Sequence, residues 1–279
     1  MHIAAVKRRR RDEGMVLLNV LIIVALASAV ATVMILAREA ATTRTVSFFE
    51  ASQAKALLEG GELTVASALR RDSLVAAQTD HLREDWAQQV SQAETVIAGG
   101  RFALSVVDGQ SLFNLNTVAS GAPSQLAMWA RIAAQAGLDP AAAEHARLFI
   151  SAHAPLTRLS ELGAAGLTPS AIERLSHLVT ALPGATSVNL NTAPEPLFAM
   201  LVEDQRQASA LLGRRRRLGY LTPSDFAGVG ASLPAETGFT TNFVWVRTVA
   251  QIGDTRLVRR SLIERRDSAA AVVQRERSE

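Results

Sequence analysis

The chain has 279 residues, of which 48% are hydrophobic, 20% charged and 5% aromatic, enough for one large or two small domains with a sizeable core. With 17 Gly, 9 Pro and no Cys, it is neither collagen-like nor disulfide-built, and a Cys-ligated metal centre and a thiol nucleophile are excluded. The net charge of +3 is carried entirely by residues 1–14, where Lys7 to Arg11 are opposed only by Asp12 and Glu13, so the basicity points to a membrane-orienting leader before it points to phosphate binding.

From Met15 to Ala37 there is no charge, and Asn19, Ser28 and Thr32 are the clearly polar residues. As a helix this stretch is roughly 35 Å long, sufficient to cross a hydrocarbon core of about 30 Å. It is too long for the apolar region of a cleaved secretory signal, and the basic cluster before it keeps the N-terminus cytoplasmic and the bulk of the chain outside. Ala25, Ala27, Ser28, Ala29 and Ala31 are small enough to let a neighbouring helix approach closely within the membrane. A basic leader ending in Gly14, directly before the apolar run, resembles the precursors of type IV pilins and pseudopilins. That resemblance implies cleavage after Gly14 by a prepilin peptidase and a methylated N-terminus at Met15; a residue without a side chain leaves the peptide bond accessible. Most members of that family carry Glu at the fifth mature position. Here it is Asn19, and an amide cannot form an ion pair with a neighbour's N-terminal amine, which fits a subunit used once, at a filament tip.

Residues 38–71 continue the helical pattern, with Val46, Phe49, Ala54, Leu57, Leu58, Ala66 and Leu69 spaced mainly by three or four. Gly60-Gly61 costs about 1 kcal/mol per residue against Ala, so it marks either a break or close packing onto a sheet; a continuous helix is the expectation. Arg101–Val107 alternates as a half-buried strand, followed by a turn at Asp108-Gly109. Strand character returns at Phe243–Ala250 and Thr255–Glu264, joined as a hairpin through Gly253-Asp254. The residues between are mainly helical. Thr168-Pro169, Thr222-Pro223 and Thr192-Ala193-Pro194-Glu195 read as three helix starts, the last as a capping box in which Glu195 reaches back. Strands on both sides of a helical block imply that the block is inserted. Asn-Leu-Asn-Thr occurs at Asn114–Thr117 and again at Asn189–Thr192, read as structural turns and caps.

Residues Asp80–Ala87, Asp108-Gly109 with Phe113–Asn116, Leu156–Leu178, Asn189–Pro194 and Ser261–Arg265 together resemble, in order and over nearly the whole chain, the general secretion pathway protein K family. Its members are minor pseudopilins of the type II secretion system, and absence of the fifth-position Glu is a trait of that family. The resemblance implies an α+β fold: a pilin-like long N-terminal helix packed on an antiparallel sheet, with a large all-α domain inserted between strands. The expected layout is a cleaved leader (1–14), a transmembrane segment (15–37), a periplasmic helix and first part of the pilin-like domain (38–114), an inserted α-domain (115–235), C-terminal strands (236–266) and a disordered tail (267–279). It further implies a place at the pseudopilus tip beside the I-type and J-type minor pseudopilins, with other pseudopilins, the prepilin peptidase and the inner-membrane secretion platform as partners, in the export of folded proteins across the outer membrane. The protein would reside in the inner membrane as a single-pass protein with a periplasmic C-terminal domain. It leaves room for calcium in the inserted α-domain, with no ligands assigned.

Two competing readings remain. Val188–Phe226 resembles helix-hairpin-helix DNA-binding modules, and Arg214–Arg217 supplies positive charge for a membrane-anchored DNA-binding protein; the blander reading is a helix end whose Arg residues meet the negative pole of the helix dipole or acidic protein surfaces. An anchored enzyme has no supporting constellation: His81, His145, His153 and His177 form no HExxH, and neither a G-x-S-x-G elbow nor a Walker Gly-Lys-Ser/Thr run is present. The carboxylates Glu84, Asp85, Asp108, Asp139 and Glu144 form no calcium-loop spacing.

Overall fold

The computed structural model describes residues 9–75, 78–88, 90–97, 99–266 and 269–278. Most of the leader, and Asp267, Ser268 and Glu279 of the tail, therefore lie outside the described residues.

Helix α1 runs unbroken over Arg9–Val75, 67 residues and about 100 Å. From Met15 to Phe49 its side chains are all exposed, whereas from Ala54 onward one stripe, Ala54, Leu58, Val65, Ala68 and Leu69, is buried against a sheet. Polar residues do not interrupt it, because Thr32, Thr42, Thr43, Thr45 and Thr64 each return their hydroxyl to the carbonyl four residues back. The glycine pair divides its labour. A Cβ at Gly60 would meet open space, while one at Gly61 would lie 3.1 Å from Thr248 Cγ2 and 3.3 Å from Phe102 Cζ. Gly61 is thus a point where helix and sheet approach closely.

After the short helix α2 (Asp85–Gln88) come β1 (Gln92–Ile97) and β2 (Gly100–Asp108). The next elements are β3 (Phe113–Asn114), α3 (Pro123–Gln135), α4 (Pro140–His153), α5 (Pro169–Ser176), β4 (Val179–Thr180), β5 (Val188–Asn189), α6 (Glu195–Leu201), α7 (Gln205–Leu218), α8 (Pro223–Gly228) and β6 (Thr237–Gly238). The chain then closes with β7 (Phe243–Ile252), β8 (Thr255–Arg266) and β9 (Ala269–Ser278). The main sheet is antiparallel in the order β1-β2-β7-β8-β9, so everything between β2 and β7 is inserted between two hydrogen-bonded neighbours, Asp108 opposite Val244. Val244, Val246, Ala250 and Ile252 of β7 face α1, while Phe243 and Trp245 pack on its other face with Leu182 and Leu262. The β7–β8 turn at Gly253 has φ +53° and lies against Glu50, and the opposite end of the sheet, at Asp108 and Phe243, opens into the insert.

The insert holds its own core and is built twice on one plan. In each half an Asn-Leu-Asn-Thr segment follows one strand of a two-residue parallel pair: β3 with β4 in the first, β5 with β6 in the second. The leading Asn turns the chain by accepting from the backbone N–H two residues on, Asn114 from Asn116 and Asn189 from Asn191. The second Asn accepts from a distant backbone N–H, Asn116 from Leu156 and Asn191 from Leu221, and the Thr hydroxyl lies beside the leading Asn carbonyl, at 2.7 Å for Thr117 and 3.3 Å for Thr192. Leu156 and Leu221 each open a short helical segment held by a reaching carboxylate, Glu161 bonding Thr157 and Arg158 and Asp225 bonding Thr222. The four-residue echo is therefore a buried hydrogen-bonded hub, which goes further than a surface turn.

Two sequence expectations are corrected. The segment 267–279, expected to be disordered, instead forms β9 over Ala269–Ser278, paired along β8. Charge pairs hold it: Arg275 reaches Glu62 at 2.8 Å, Glu276 pairs with Arg158 and Arg260, and Gln274 donates to the Thr157 carbonyl. The capping box expected at Thr192–Glu195 does not form. Thr192 donates instead to Asp108, Pro194 precedes α6 with no side-chain cap, and Glu195 pairs with Arg216.

Glu62 is a buried carboxylate on the sheet-facing stripe of α1, bonded by Ser261, Arg259 and Arg275. Burial opposes its ionisation, but these three partners outweigh burial and hold its carboxyl below the usual 4.5. A depressed folded-state value stabilises the fold at higher pH and is lost as pH falls through the carboxylate range. The stability difference between wild type and Glu62→Gln should therefore be constant near neutrality and shrink below about pH 4.5, as read by denaturant midpoints across pH. The glycines give a second check: Gly61→Val should destabilise by about 1–3 kcal/mol, whereas Gly60→Ala should stabilise by about 0.5–1 kcal/mol, by the same measurement.

Candidate functional site

Two regions carry the functional geometry: the apolar half of α1 and the polar junction where the insert joins the sheet. Met15–Ala37 lies in helix with none of its side chains packed within the chain, and the large apolar residues from Met15 to Leu36 are all exposed. This segment has a mean hydropathy of 2.8 in its most apolar window, which fits a membrane anchor. Gly14 lies within the same helix, one residue before Met15, and Asn19 projects from it fully exposed. Ala27 and Ala31 share a shallow apolar depression with Ile23, Leu26, Val30 and Met34. At 100° per residue Ala25 and Ala29 fall on a different face, so the small residues form two i, i+4 pairs rather than one patch, with Ser28 between them.

At the junction, burial and chain reversal force polar groups together. Gly109 passes so close to Phe243 that a Cβ would meet its carbonyl oxygen at 2.8 Å. Asp108, the last residue of β2, is fully buried; its Oδ1 accepts from Gln110 N at 2.7 Å, and its Oδ2 from Asn189 Nδ2 at 2.8 Å and Thr192 Oγ1 at 2.6 Å. Burial pushes its carboxyl up, against the pull of these donors. Asn189 also donates to the Asp80 carbonyl, and Gln110 bridges Ser187 O to Asn242 N. Arg265 of β8 donates to Asp72 on α1, to Asp80 and to the Thr241 carbonyl, while Asp80 Oδ2 accepts from Thr241 N. One buried guanidinium thus ties the end of the anchor helix, the loop after it, the exit of the insert and the sheet. Asp72 is raised to about 7, by burial first and then by the neighbouring carboxylates Glu84 and Asp80. Burial likewise raises Glu84 and lowers His81, whose ring stacks on Tyr220.

The Arg214–Arg217 run is engaged internally. Arg215 donates to the Leu190 and Ala193 carbonyls and lies over the Phe198 ring, Arg214 pairs with Asp225, and Arg216 pairs with Glu195. These residues hold α7 to the rest of its half, leaving few of them to meet phosphates. His153 is occupied by the ring and carbonyl of Phe149. Asp139 caps α4 and Glu144 pairs with Arg147. Among the described residues, the three-carboxylate group close enough to share an ion is Asp72, Asp80 and Glu84, which lies outside the 115–235 segment where the resemblance leaves room for calcium. Of the groups that build the junction, Asp80, Asp108, Asn189, Thr192 and Arg265 fall within segments that carried the resemblance and Asp72, Gln110 and Thr241 do not, but which of them pair is set by the fold and not by spacing along the chain. Glu62 could have been found by its register: it is one charge beside an otherwise small and apolar stripe.

A single long helix, apolar and exposed in its first part, that continues without a break and packs on an antiparallel sheet defines a pilin-type fold, here with a helical insert built twice on one plan. The family described as type II secretion system (T2SS), protein K, matches residues 188–243. Type II secretion system protein K of Pseudomonas aeruginosa is 26% identical, with 92% of this chain and 90% of that protein covered. Protein K of Klebsiella pneumoniae is also 26% identical, over 95% and 96% of the two chains. In three dimensions the chain is similar to GspK in the crystal structure of the GspK-GspI-GspJ complex from enterotoxigenic Escherichia coli, with a TM-score of 0.67, 21% identity, and 85% of this chain and 99% of that chain covered. Over nearly its whole length the chain is thus similar to protein K of the type II secretion system, and its fold is the one that GspK shows.

The junction predicts its own sensitivity. Asn189→Ala removes donors from both Asp108 and the Asp80 carbonyl inside a dry site, and should cost about 2–3 kcal/mol of stability. Hydrogen exchange should show the loss concentrated at Asp80, Asn189 and Thr241 rather than along α1.

Proposed function

We propose that this subunit is processed after Gly14, leaves the inner membrane as an α-helix beginning at Met15, and caps the pseudopilus tip, where it helps to initiate assembly together with I-type and J-type minor pseudopilins. The observation that carries this reading is the position of the insert. It joins the sheet at the end remote from the apolar segment, by Asp108 and Phe243, while the Gly253 turn at the other end lies against Glu50. A head of this size at the membrane-distal end of the scaffold blocks another subunit from stacking above it.

The anchor supports the same place. Asn19 offers no charge to a neighbour's N-terminal amine, so the contact repeated along a filament of Glu-bearing subunits is lost on one side. An uncharged amide is also cheaper to hold in lipid than an unpaired carboxylate. The pairs Ala25/Ala29 and Ala27/Ala31, with Ser28 between them, give two faces on which partner helices pack closely, as a helix that meets more than one neighbour requires. The solved GspK-GspI-GspJ complex supports I- and J-type partners. The prepilin peptidase and the inner-membrane platform complete the pathway, with the N-terminus cytoplasmic and the head periplasmic. The role is mechanical and non-catalytic.

Mass spectrometry of the N-terminal peptide from membrane-purified protein tests the route. A peptide beginning at methylated Met15 should be found with the cognate prepilin peptidase present, and an unprocessed leader without it; an N-terminus at Met1 in both would overturn the processing. Leu26→Arg should abolish membrane insertion or assembly and with it secretion, at a cost of about 2.5–3.5 kcal/mol for an arginine at the helix centre.

A further inference from the structure

Asp72, Asp80 and Glu84 bring one carboxylate oxygen each to within 4.8 Å of one another where α1 ends. Each also has an oxygen engaged. Asp72 Oδ2 accepts from Arg265 at 3.1 Å, Asp80 Oδ2 from Arg265 and from Thr241 N, and Glu84 Oε2 from His81 N at 3.0 Å and Trp86 Nε1 at 2.7 Å. Glu84 Oε1 has the His81 ring at 3.6 Å. Asp80 is 1% exposed, and its Oδ1, the oxygen left to offer a further partner, has no hydrogen-bond donor among the described residues. A buried carboxylate oxygen without a donor is a costly arrangement unless something else satisfies it.

The charges lead the same way. Three carboxylates face the single guanidinium of Arg265, and Asp72 stands in the last turn of α1, where the unpaired carbonyls already present partial negative charge. We propose that Asp72, Asp80 and Glu84 form a site for a hard divalent cation, with calcium the best fit, that pins the end of α1 to the loop carrying Asp80 and Glu84. A divalent ion brings the three carboxylates and Arg265 to neutrality. The cluster's free donors are oxygens, the ligand type of calcium, which accepts six to eight of them in irregular geometry where magnesium demands a near-ideal octahedron. Water completes the shell from a groove of about 920 Å³ that Asp72 and Glu84 line together with Arg71, Val75 and Asp85. The site belongs to the joint between anchor helix and head, so ion binding stiffens the connection through which the helix bears its load.

The test uses the full chain in detergent, stripped with EGTA and titrated with calcium. Wild type should bind, and its thermal midpoint should rise by about 5–10 °C when calcium reaches a hundredfold excess over Kd. Asp72→Asn should lose that rise. In EGTA the order should invert, with Asp72→Asn melting above wild type because one repelling carboxylate is gone, a reversal that removal of a merely structural carboxylate would not give. Terbium in place of calcium should give emission sensitised through Trp86, whose indole bonds Glu84, and the emission should vanish in Asp72→Asn. Glu84→Gln is the second variant, with the same loss of the calcium-induced rise expected. Absence of any calcium-induced rise in wild type, or its full retention in both variants, would overturn the site; in the first case the crowded oxygens share a proton instead, and in the second the ion sits elsewhere.

Discussion

The structure depends on one buried guanidinium. Arg265 stands on β8, yet its donors end on α1 at Asp72, on the following loop at Asp80 and on the backbone at Thr241, where the chain returns from the insert. A sheet alone would leave the insert attached by two crossing strands, β2 and β7, whose ladder stops at Asp108 and Phe243. Side chains must fix the head beyond that point, and the buried polar network does so by satisfying its members mutually. Such a network defines one arrangement sharply, since any displacement leaves charged groups in a dry site without partners. Asp108 works on the other side of the joint in the same way, with Asn189 and Thr192 borrowed from the second half of the insert.

The anchor helix illustrates the opposite economy. From Met15 to Ala37 its stability is local, in backbone bonds and helix formers, and every side chain is left for lipid or for neighbouring helices. From Ala54 the same helix becomes part of a core, and its composition changes accordingly: Ala54, Gly61, Val65 and Ala68 are small where Phe102, Thr248 and Ala250 come close. Glu62 sits at the edge of that stripe and collects Arg259 and Arg275 from two strands, so β9 is held to the helix as well as to β8. A single element thus passes from an exposed apolar stretch that fits a membrane anchor to a protein interior without a break in its helix.

Much of this was legible in the sequence because it is written in local periodicity. The uncharged run, the alternation in β2, β7 and β8, the Gly253 turn and the helical block between them each depend on residues near one another, and the resemblance to protein K rested on segments in order. What was missed depends on distant partners. Nothing in Ala269–Ser278 announces a strand, since its small and charged residues become strand-forming only beside β8 and Glu62. Thr192 has the sequence of a cap, but a buried carboxylate is a stronger acceptor for its hydroxyl than a local backbone contact is a use for it. The arginine run reads as a helix end that meets acidic protein surfaces, and it does so, but that those surfaces are Asp225 and Glu195 of its own chain, with Phe198 beneath Arg215, is not written in the run itself. The duplication was visible only as four letters, because two halves that share a hydrogen-bonding scheme need share few side chains.

That duplication bears on the tip position proposed for the head. Each half is closed by its own hub, Asn114 with Asn116 or Asn189 with Asn191, so neither needs an edge of the main sheet to complete it. The first half sends Thr157 and Arg158 to the tail strand, and the second sends Asn189 and Thr192 into the joint. The two therefore brace the scaffold at different points, one against β9 and one against β2. A head held at two points can lie across the end of the sheet without swinging, and it is this rigidity, more than volume alone, that would keep a further subunit from entering above it.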